Sequence, residues 1–321
     1  MGEVFSDSSK LSLFKRGYKH GAFDEEVDGP LHWAIQEKFN EAALYLIQEA
    51  GEDTNRLDSN QRSPLEVAIE KNLFNVFKAL VNKANVNLVN ANNQSFLHRA
   101  LHWALEEDYL DVFKALIEKA DVNYVDDLNY FSILDMAVFH NKYKYVEMLI
   151  EMGANVNCVN QSNKGPLHLA AHFCGGATDI AKILIKNGAE IDAKTNHLES
   201  PLHLACSQGR PEVVKLLLEN GANPNIKDID DNEPIHYASA LGHNQCVEIL
   251  IQHGAYLNTR GCFGLTPLQK AINKNHTVSA QILLNYGASF NFKDSDHFYP
   301  MERAMANKNL DIFKLLVFFE P

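Results

Sequence analysis

The side chains with the most latent chemistry are 14 histidines and five cysteines. One histidine and one cysteine stand close together, His172 and Cys174. Zinc asks for four such ligands, or three and a water, so two make no metal site and the pair reads as loop. The adjoining Gly175-Gly176 could bring backbone N–H groups to an anion. No lysine follows and no strand precedes it, as a phosphate-cradling loop requires. The chain has no G-x-x-x-x-G-K-[ST] run, no G-x-S-x-G elbow, no H-E-x-x-H and no kinase motif set. Cys158, Cys174, Cys206, Cys246 and Cys262 are scattered and odd in number. That argues against a disulfide framework and for a reducing, cytoplasmic setting. The expectation is a non-enzyme with no catalytic residue, no cofactor and no metal.

Half of the histidines are explained by position. One six-residue block recurs nine times, as in Gly165-Pro166-Leu167-His168-Leu169-Ala170, Ser200-Pro201-Leu202-His203-Leu204-Ala205 and Thr266-Pro267-Leu268-Gln269-Lys270-Ala271. Its second residues are Pro30, Pro64, Phe96, Ile133, Pro166, Pro201, Pro234, Pro267 and Pro300, so successive spacings are 34, 32, 37, 33, 35, 33, 33 and 33. His32, His98, His168, His203 and His236 share the fourth position, and His243 and His276 recur at the start of a second helix.

Each block reads as a helix start. Ser, Thr or Gly before Pro supplies a cap and then a ring that fixes φ in the first turn. Leu202 and Ala205, three apart, share one face, and the small alanine lets a neighbouring helix approach. A second helix follows, as in Val213 to Leu218, and stops at a glycine such as Gly221. The same ending recurs at Gly153, Gly188, Gly254 and Gly287. The turn formers after it read as a hairpin joining one unit to the next.

This pattern resembles the ankyrin repeat, whose signature is T-P-L-H-x-A at a period of 33. The resemblance covers about residues 24 to 319. It implies an all-α repeat solenoid of about nine helix–turn–helix units with hairpins, in a curved stack. At roughly 10 Å per layer the stack would be about 90 Å long. The expected organisation is an N-terminal segment, 1–23, and an array, 24–321, with repeats starting near 24, 58, 90, 127, 160, 195, 228, 261 and 294. Leu11 to Arg16 is a plausible helical cap on the first repeat. The resemblance also implies that the block histidines hydrogen-bond the backbone between repeats, and that Asp121-Val122-Asn123 is similar to a target of asparagine hydroxylation. Met1-Gly2 fits a loose acylation pattern, and a chance match is the better reading.

Several features depart from the pattern. Repeat 3 carries about four extra residues, read here as lying between its helices, and repeat 5 about two, near His172 to Thr178. The last helix ends Leu315-Leu316-Val317-Phe318-Phe319, more apolar than a terminal face should be. No apolar run is long enough for a membrane helix.

With catalysis set aside, the expected function is protein binding through the concave groove of hairpins and first helices. The net charge of −12 disfavours nucleic acid and suits a partner with a basic or mixed surface. Carboxylates gather on hairpins: Asp24, Glu25, Glu26, Asp28, Asp58, Asp126, Asp127, Asp228, Asp230, Asp231, Glu233, Asp294 and Asp296. These are equally ordinary turn residues. Aromatic anchors carry more affinity, and Trp103, Tyr130, Phe139, Phe173 and Phe263 fall on groove-side or insertion positions. The expected partner-binding set is therefore Trp103, Asp126, Asp127, Tyr130, Phe139, His140, His172, Phe173, His197, Asp230, Asp231 and Phe263, centred on repeats 3 to 5. Trp33 reads as core, and Phe131 and Tyr143 fit either role. The alternative is a recognition or targeting module of a larger enzyme, adaptor or secreted effector. The Asn-, Lys-, Phe- and Tyr-rich composition resembles that of bacterial ankyrin effectors, which would place the chain in host cytoplasm, and equally that of a eukaryotic adaptor or a viral host-range protein.

Overall fold

The structure is a computed structural model that describes residues 11–12, 14–16, 29–83, 96–119, 121–125, 131–173, 178–294 and 296–319, the side chains of 96–98 excepted. Gly2, the carboxylates at 24–28, the side chain of His98, Asp126, Asp127, Tyr130 and the Cys174-Gly175-Gly176 segment lie outside those residues.

Helices alternate short first, longer second. The pairs are Gly29–Gln36 with Asn40–Tyr45, Pro64–Glu70 with Phe74–Lys83, Phe96–Glu106 with Leu110–Ile117, and Ile133–Phe139 with Tyr143–Glu151. They continue as Pro166–His172 with Thr178–Lys186, Pro201–Ser207 with Pro211–Glu219, Pro234–Leu241 with Asn244–Gln252, Pro267–Asn273 with Thr277–Asn285, and Pro300–Ala306 with Leu310–Phe318. Among the described residues the only β-type pairing is one isolated bridge, Val125 to Ser132. The chain forms two compact units, 1–136 with 151–154 and 137–150 with 155–321, each a stack of helix pairs. The fold class is thus an all-helical repeat solenoid.

The core follows from residue spacing. In Pro211–Glu219, Val213, Val214, Leu217 and Leu218 are buried while Lys215 faces water. Leu202, Ala205, Ala238, Leu268 and Ala271 on first helices have no measurable exposure. The turn between the helices of a pair is equally regular. The N–H five residues after the block alanine donates to that alanine's carbonyl at 2.8–3.1 Å, as in Arg210 to Ala205 and His276 to Ala271. The residue before that donor has positive φ: Lys38, Asn72, Asn141, Gly209, Gly242, Asn275 and Lys308. Second helices end at Gly153, Gly188, Gly221, Gly254 and Gly287, all with φ of 86–92°, the left-handed stop that glycine adopts without a Cβ penalty.

Two ladders of side chains tie neighbouring repeats. The first uses the block histidine at both ends of its ring. Nδ1 of His168, His203 and His236 accepts the N–H of Gly165, Ser200 and Glu233 at 3.2, 3.0 and 3.0 Å, completing the helix start. Nε2–H then donates to the next hairpin: His168 to Ala193 and Glu199, His203 to Asn232, His236 to Thr259. His32 reaches Arg62 O in the same way at 3.1 Å. Gln269 reproduces both bonds with an amide, accepting from Thr266 N–H at 2.9 Å and donating to Phe292 O at 2.8 Å. Glu66 and Asp135 keep only the accepting half, and Glu66 turns its other oxygen to Arg99 of the next repeat.

The second ladder is asparagine. Asn157 and Asn225 donate to Gly188 O and Gly254 O and accept from the N–H groups of Glu190 and Tyr256, at 2.8–3.1 Å. Asn123 donates likewise to Gly153 O at 3.2 Å.

At the N-terminal end, Phe14 is buried against Trp33, rings parallel at 5.8 Å, and meets Phe39 edge-on. Trp33 remains 43% exposed, so it is a stacking surface and not the core residue expected. The final helix buries Ile312 and Leu316 but leaves Leu310, Val317 and Phe318 exposed.

Two outcomes follow. Burial lowers the pKa of His168 and His203, and that of His236 to about 4. The unfolded chain therefore binds protons first, near the ordinary histidine value of about 6.5. Their stabilisation is fully present above that pH and is lost as pH falls towards the folded value, by up to about 3 kcal/mol for His236 near pH 4. Denaturant midpoints should drop between roughly pH 7 and pH 5. The triple change His168→Gln, His203→Gln and His236→Gln should flatten that drop, because glutamine keeps both bonds and does not titrate. In the second ladder, Asn225→Ala should cost about 1–2 kcal/mol, while Asn225→Asp, which keeps the acceptor, should cost less. Thermal unfolding checks the order.

Candidate functional site

The repeat-3 insertion does not lie between helices. It lengthens the first helix, Phe96–Glu106, to 11 residues against seven in Pro201–Ser207. The motif L-H-x-A occurs twice in a row here, as Leu97 to Ala100 and Leu101 to Ala104. It is Ala104 whose carbonyl takes the turn N–H, from Tyr109 at 2.8 Å, and Asp108 that has the positive φ. Trp103 therefore occupies the same register as Trp33. It is half-buried, with its ring 6.1 Å from Phe77 and 5.0 Å from Tyr109.

Four of the expected residues come together in one patch. Phe139 and His172 lie two residues past the block alanine of their repeats, and His140 and Phe173 three past. They sit where first helices end and turn. Phe139 and Phe173 meet edge to face at 5.0 Å and remain 44% and 47% exposed. His140 packs edge-on against Phe139 at 5.1 Å, and His172 against Phe173 at 4.3 Å. Burial, then the positive charges of Lys164 and Arg210, lower the His172 pKa, so its imidazole is neutral near pH 7. The patch is an aromatic surface, held by the next repeat through Arg210, whose guanidinium donates to His172 O at 3.0 Å.

His197, Asp230 and Phe263 fall together in a different way. Each is two residues past the first residue of its hairpin turn, so they occupy one register in three consecutive repeats, and all are exposed. Asp231 is the next residue along and pairs with Lys227 at 3.3 Å. Hairpins join laterally here: Asn196 N–H donates to Ser162 O, and Ile229 N–H to His197 O, both at 3.0 Å. Tyr143 lines a shallow cleft of about 300 Å³ on second helices with Glu147, Asp179, Lys182, Ile183 and Lys186.

The carboxylates divide by role. Asp58, Asp228 and Asp294 are buried, and each accepts two N–H groups of its own turn at 2.7–3.0 Å. They fix hairpins and present no charge to a partner. Asp230, Asp231 and Asp296 remain on the surface. Sequence reasoning missed Ile229, an apolar residue exposed beside Asp230. Its signal was an isoleucine in a turn otherwise made of aspartate and asparagine.

Among the described residues no helix is long and apolar enough to cross a membrane. The cysteines Cys158, Cys206, Cys246 and Cys262 are free thiols. Burial raises the thiol pKa of Cys206, and that of Cys246 to about 12. Both are therefore unreactive packing groups.

Comparison with known proteins agrees with the geometry. The family model "Ankyrin repeats (3 copies)" matches in overlapping segments from residue 9 to residue 320. Human neurogenic locus notch homolog protein 1 is 30% identical over 193 residues, covering 60% of this chain and 6% of that protein. The mouse B-cell lymphoma 3 protein homolog is 27% identical over 204 residues, 62% of this chain and 44% of that protein. Mouse Rabankyrin-5 is 27% identical over 186 residues, 56% of this chain and 16% of that protein. The matched region thus spans less than half of each of these relatives. With the family model covering nearly every residue, and the helix pairs, capped starts and hairpin links repeating in step with it, the chain belongs to the ankyrin-repeat family.

Proposed function

We propose that the chain is a protein–protein interaction scaffold, binding a partner protein through the groove lined by its hairpins and first helices, with the site centred on repeats 3 to 5. The observation that carries this reading is the Phe139–Phe173 pair. Two phenylalanines in adjacent repeats are almost half exposed. Ser207 and Gln208 hold the equivalent places in repeat 6. Exposed aromatics on a rigid frame are what interface anchors require, because little order is lost when they are covered. Trp103 and Tyr130 are assigned to the same site from repeats 3 and 4. His140 and His172 flank it.

The partner presents a basic or mixed surface. The net charge of −12 speeds encounter with such a surface and opposes nucleic acid. Asp126, Asp127, Asp230 and Asp231 are the hairpin carboxylates assigned to it, with His197 and Phe263 beside them. The buried caps Asp58, Asp228 and Asp294 are not part of this surface. A cytoplasmic setting fits the free thiols.

A second reading, a recognition or targeting module for an enzyme, adaptor or effector, is favoured by one observation. In the relatives above, the matching region is a minor part of a longer protein.

The test is affinity capture with the whole chain as bait, followed by titration of the captured partner. Phe139→Ala with Phe173→Ala should weaken binding by about tenfold or more, and Trp103→Ala by less, since Trp103 is half-buried. Retention of wild-type affinity by the double variant contradicts the site. A recurrent enzyme or ubiquitin-ligase subunit in the captured set favours the second reading.

A further inference from the structure

We propose that the ninth repeat docks a second copy of this chain, the apolar faces of its helices Pro300–Ala306 and Leu310–Phe318 packing on the same faces of the other copy about a two-fold axis. The inference is independent of the groove reading. It concerns a face made of helices and uses neither the hairpins nor the Phe139–Phe173 patch.

Register identifies the face. The residue after the block alanine is buried in each of the other eight repeats, as at Ile35, Leu105, Cys206 and Ile272. In repeat 9 that residue is Met305, and it is 62% exposed. Phe313 holds the place of Phe77 and Phe113, which are fully buried, yet it is only half-buried. Val317 holds the place of Leu218 and Leu284, both buried, and is 46% exposed. Gln269 of repeat 8 is buried and donates to the following hairpin at Phe292 O. Its counterpart Glu302 is exposed and accepts its own Tyr299 N–H at 2.8 Å. Repeat 9 thus carries the apolar stacking face of the other eight, and among the described residues no further helix pair covers it.

Charge selects the occupant. A chain of net charge −12 repels its own copies, so self-contact needs a locally neutral face. Around this one Glu302, Lys308, Asp311 and Lys314 are all exposed, two acids and two bases. Among the described residues the ion pairs of repeat 9 are those of Arg303 with Asp294 and Asp296, so these four groups are open to a neighbour. Across a two-fold axis an acid of one copy meets a base of the other, while Met305, Phe313 and Val317 meet their own counterparts.

A head-to-tail contact with the first repeat has no such opening. Phe14 already lies buried against Trp33 there, and Lys15 sits over the Tyr45 ring at 4.1 Å. The contact therefore pairs like faces and closes at two copies, without growing into a filament. Methionine suits such a seam, because its unbranched thioether adapts to whatever surface it meets.

The test is sedimentation velocity of the whole chain from about 1 to about 200 µM, which should show a dimer that grows no further. Met305→Glu with Val317→Glu should weaken that dimer by about 100-fold or more, because each change places a charge in the apolar seam. Both residues are exposed in the single chain, so the unfolding midpoint of this variant, measured below the dimerisation range, should match that of wild type. Charge supplies a second readout. Lys308→Glu with Lys314→Glu, and separately Asp311→Lys, should each dimerise less than wild type, and a mixture of the two variants should restore the dimer. Four results overturn the proposal. The chain stays monomeric at the highest concentration, as it would if a different protein covered the face. The dimer survives Met305→Glu with Val317→Glu, or is abolished instead by Phe139→Ala with Phe173→Ala. Or the oligomer keeps growing with concentration. A monomeric chain leaves the groove reading standing.

Discussion

A repeat that buries only part of its apolar face cannot hold its helices in place unaided, so something directional must fix one repeat on the next. In this chain two ladders meet that constraint, and the one that also starts each helix rests on a single side chain per repeat. It must accept a hydrogen bond from the backbone at its own helix start and donate another to the hairpin that follows. A neutral imidazole does this with Nδ1 and Nε2–H, as His168, His203 and His236 show. A glutamine does it with its amide oxygen and nitrogen, as at Gln269. A carboxylate can only accept, and where Glu66 stands the donor comes from Arg99 instead. The recurrence of histidine is thus a demand for a two-ended group of one length.

Much of the fold was legible because cap chemistry is local. Ser200, Pro201 and His203 declare a helix start within four residues, and Gly221 declares a stop alone. The register of repeat 3 was not legible. With L-H-x-A written twice, neighbouring residues fit either choice, and only the distance to Leu110–Ile117 selects Ala104. Trp33 was misread for a related reason: burial depends on what covers a position, and there the cover is one ring, Phe14.

The candidate site was legible in part. Counting from the block alanine placed Phe139, His140, His172 and Phe173 at neighbouring helix ends, and they do pack together. Counting along hairpins placed Phe263 at a tip. The left-handed backbone there was not legible, since the neighbouring tips place it one residue later, as at Leu198 and Asp231. The carboxylates were legible only as a group. Asp228 and Asp230 look alike in sequence, yet one turns inward to hold the hairpin and the other faces water. The binding surface and the frame therefore draw on the same residue types. What separates them is whether backbone N–H groups of the same turn claim the side chain first.

The most direct measurement is the protonation state of the linking histidines. Nitrogen-detected NMR of the imidazole rings of His168, His203 and His236 distinguishes the two neutral tautomers from the cation. This account requires the proton on Nε2 and a bare Nδ1 at neutral pH, unchanged as the solution is made mildly acidic. A proton on Nδ1, or an imidazolium at neutral pH, would mean that these rings do not accept at their own helix start, and the repeat-to-repeat link described here would be wrong.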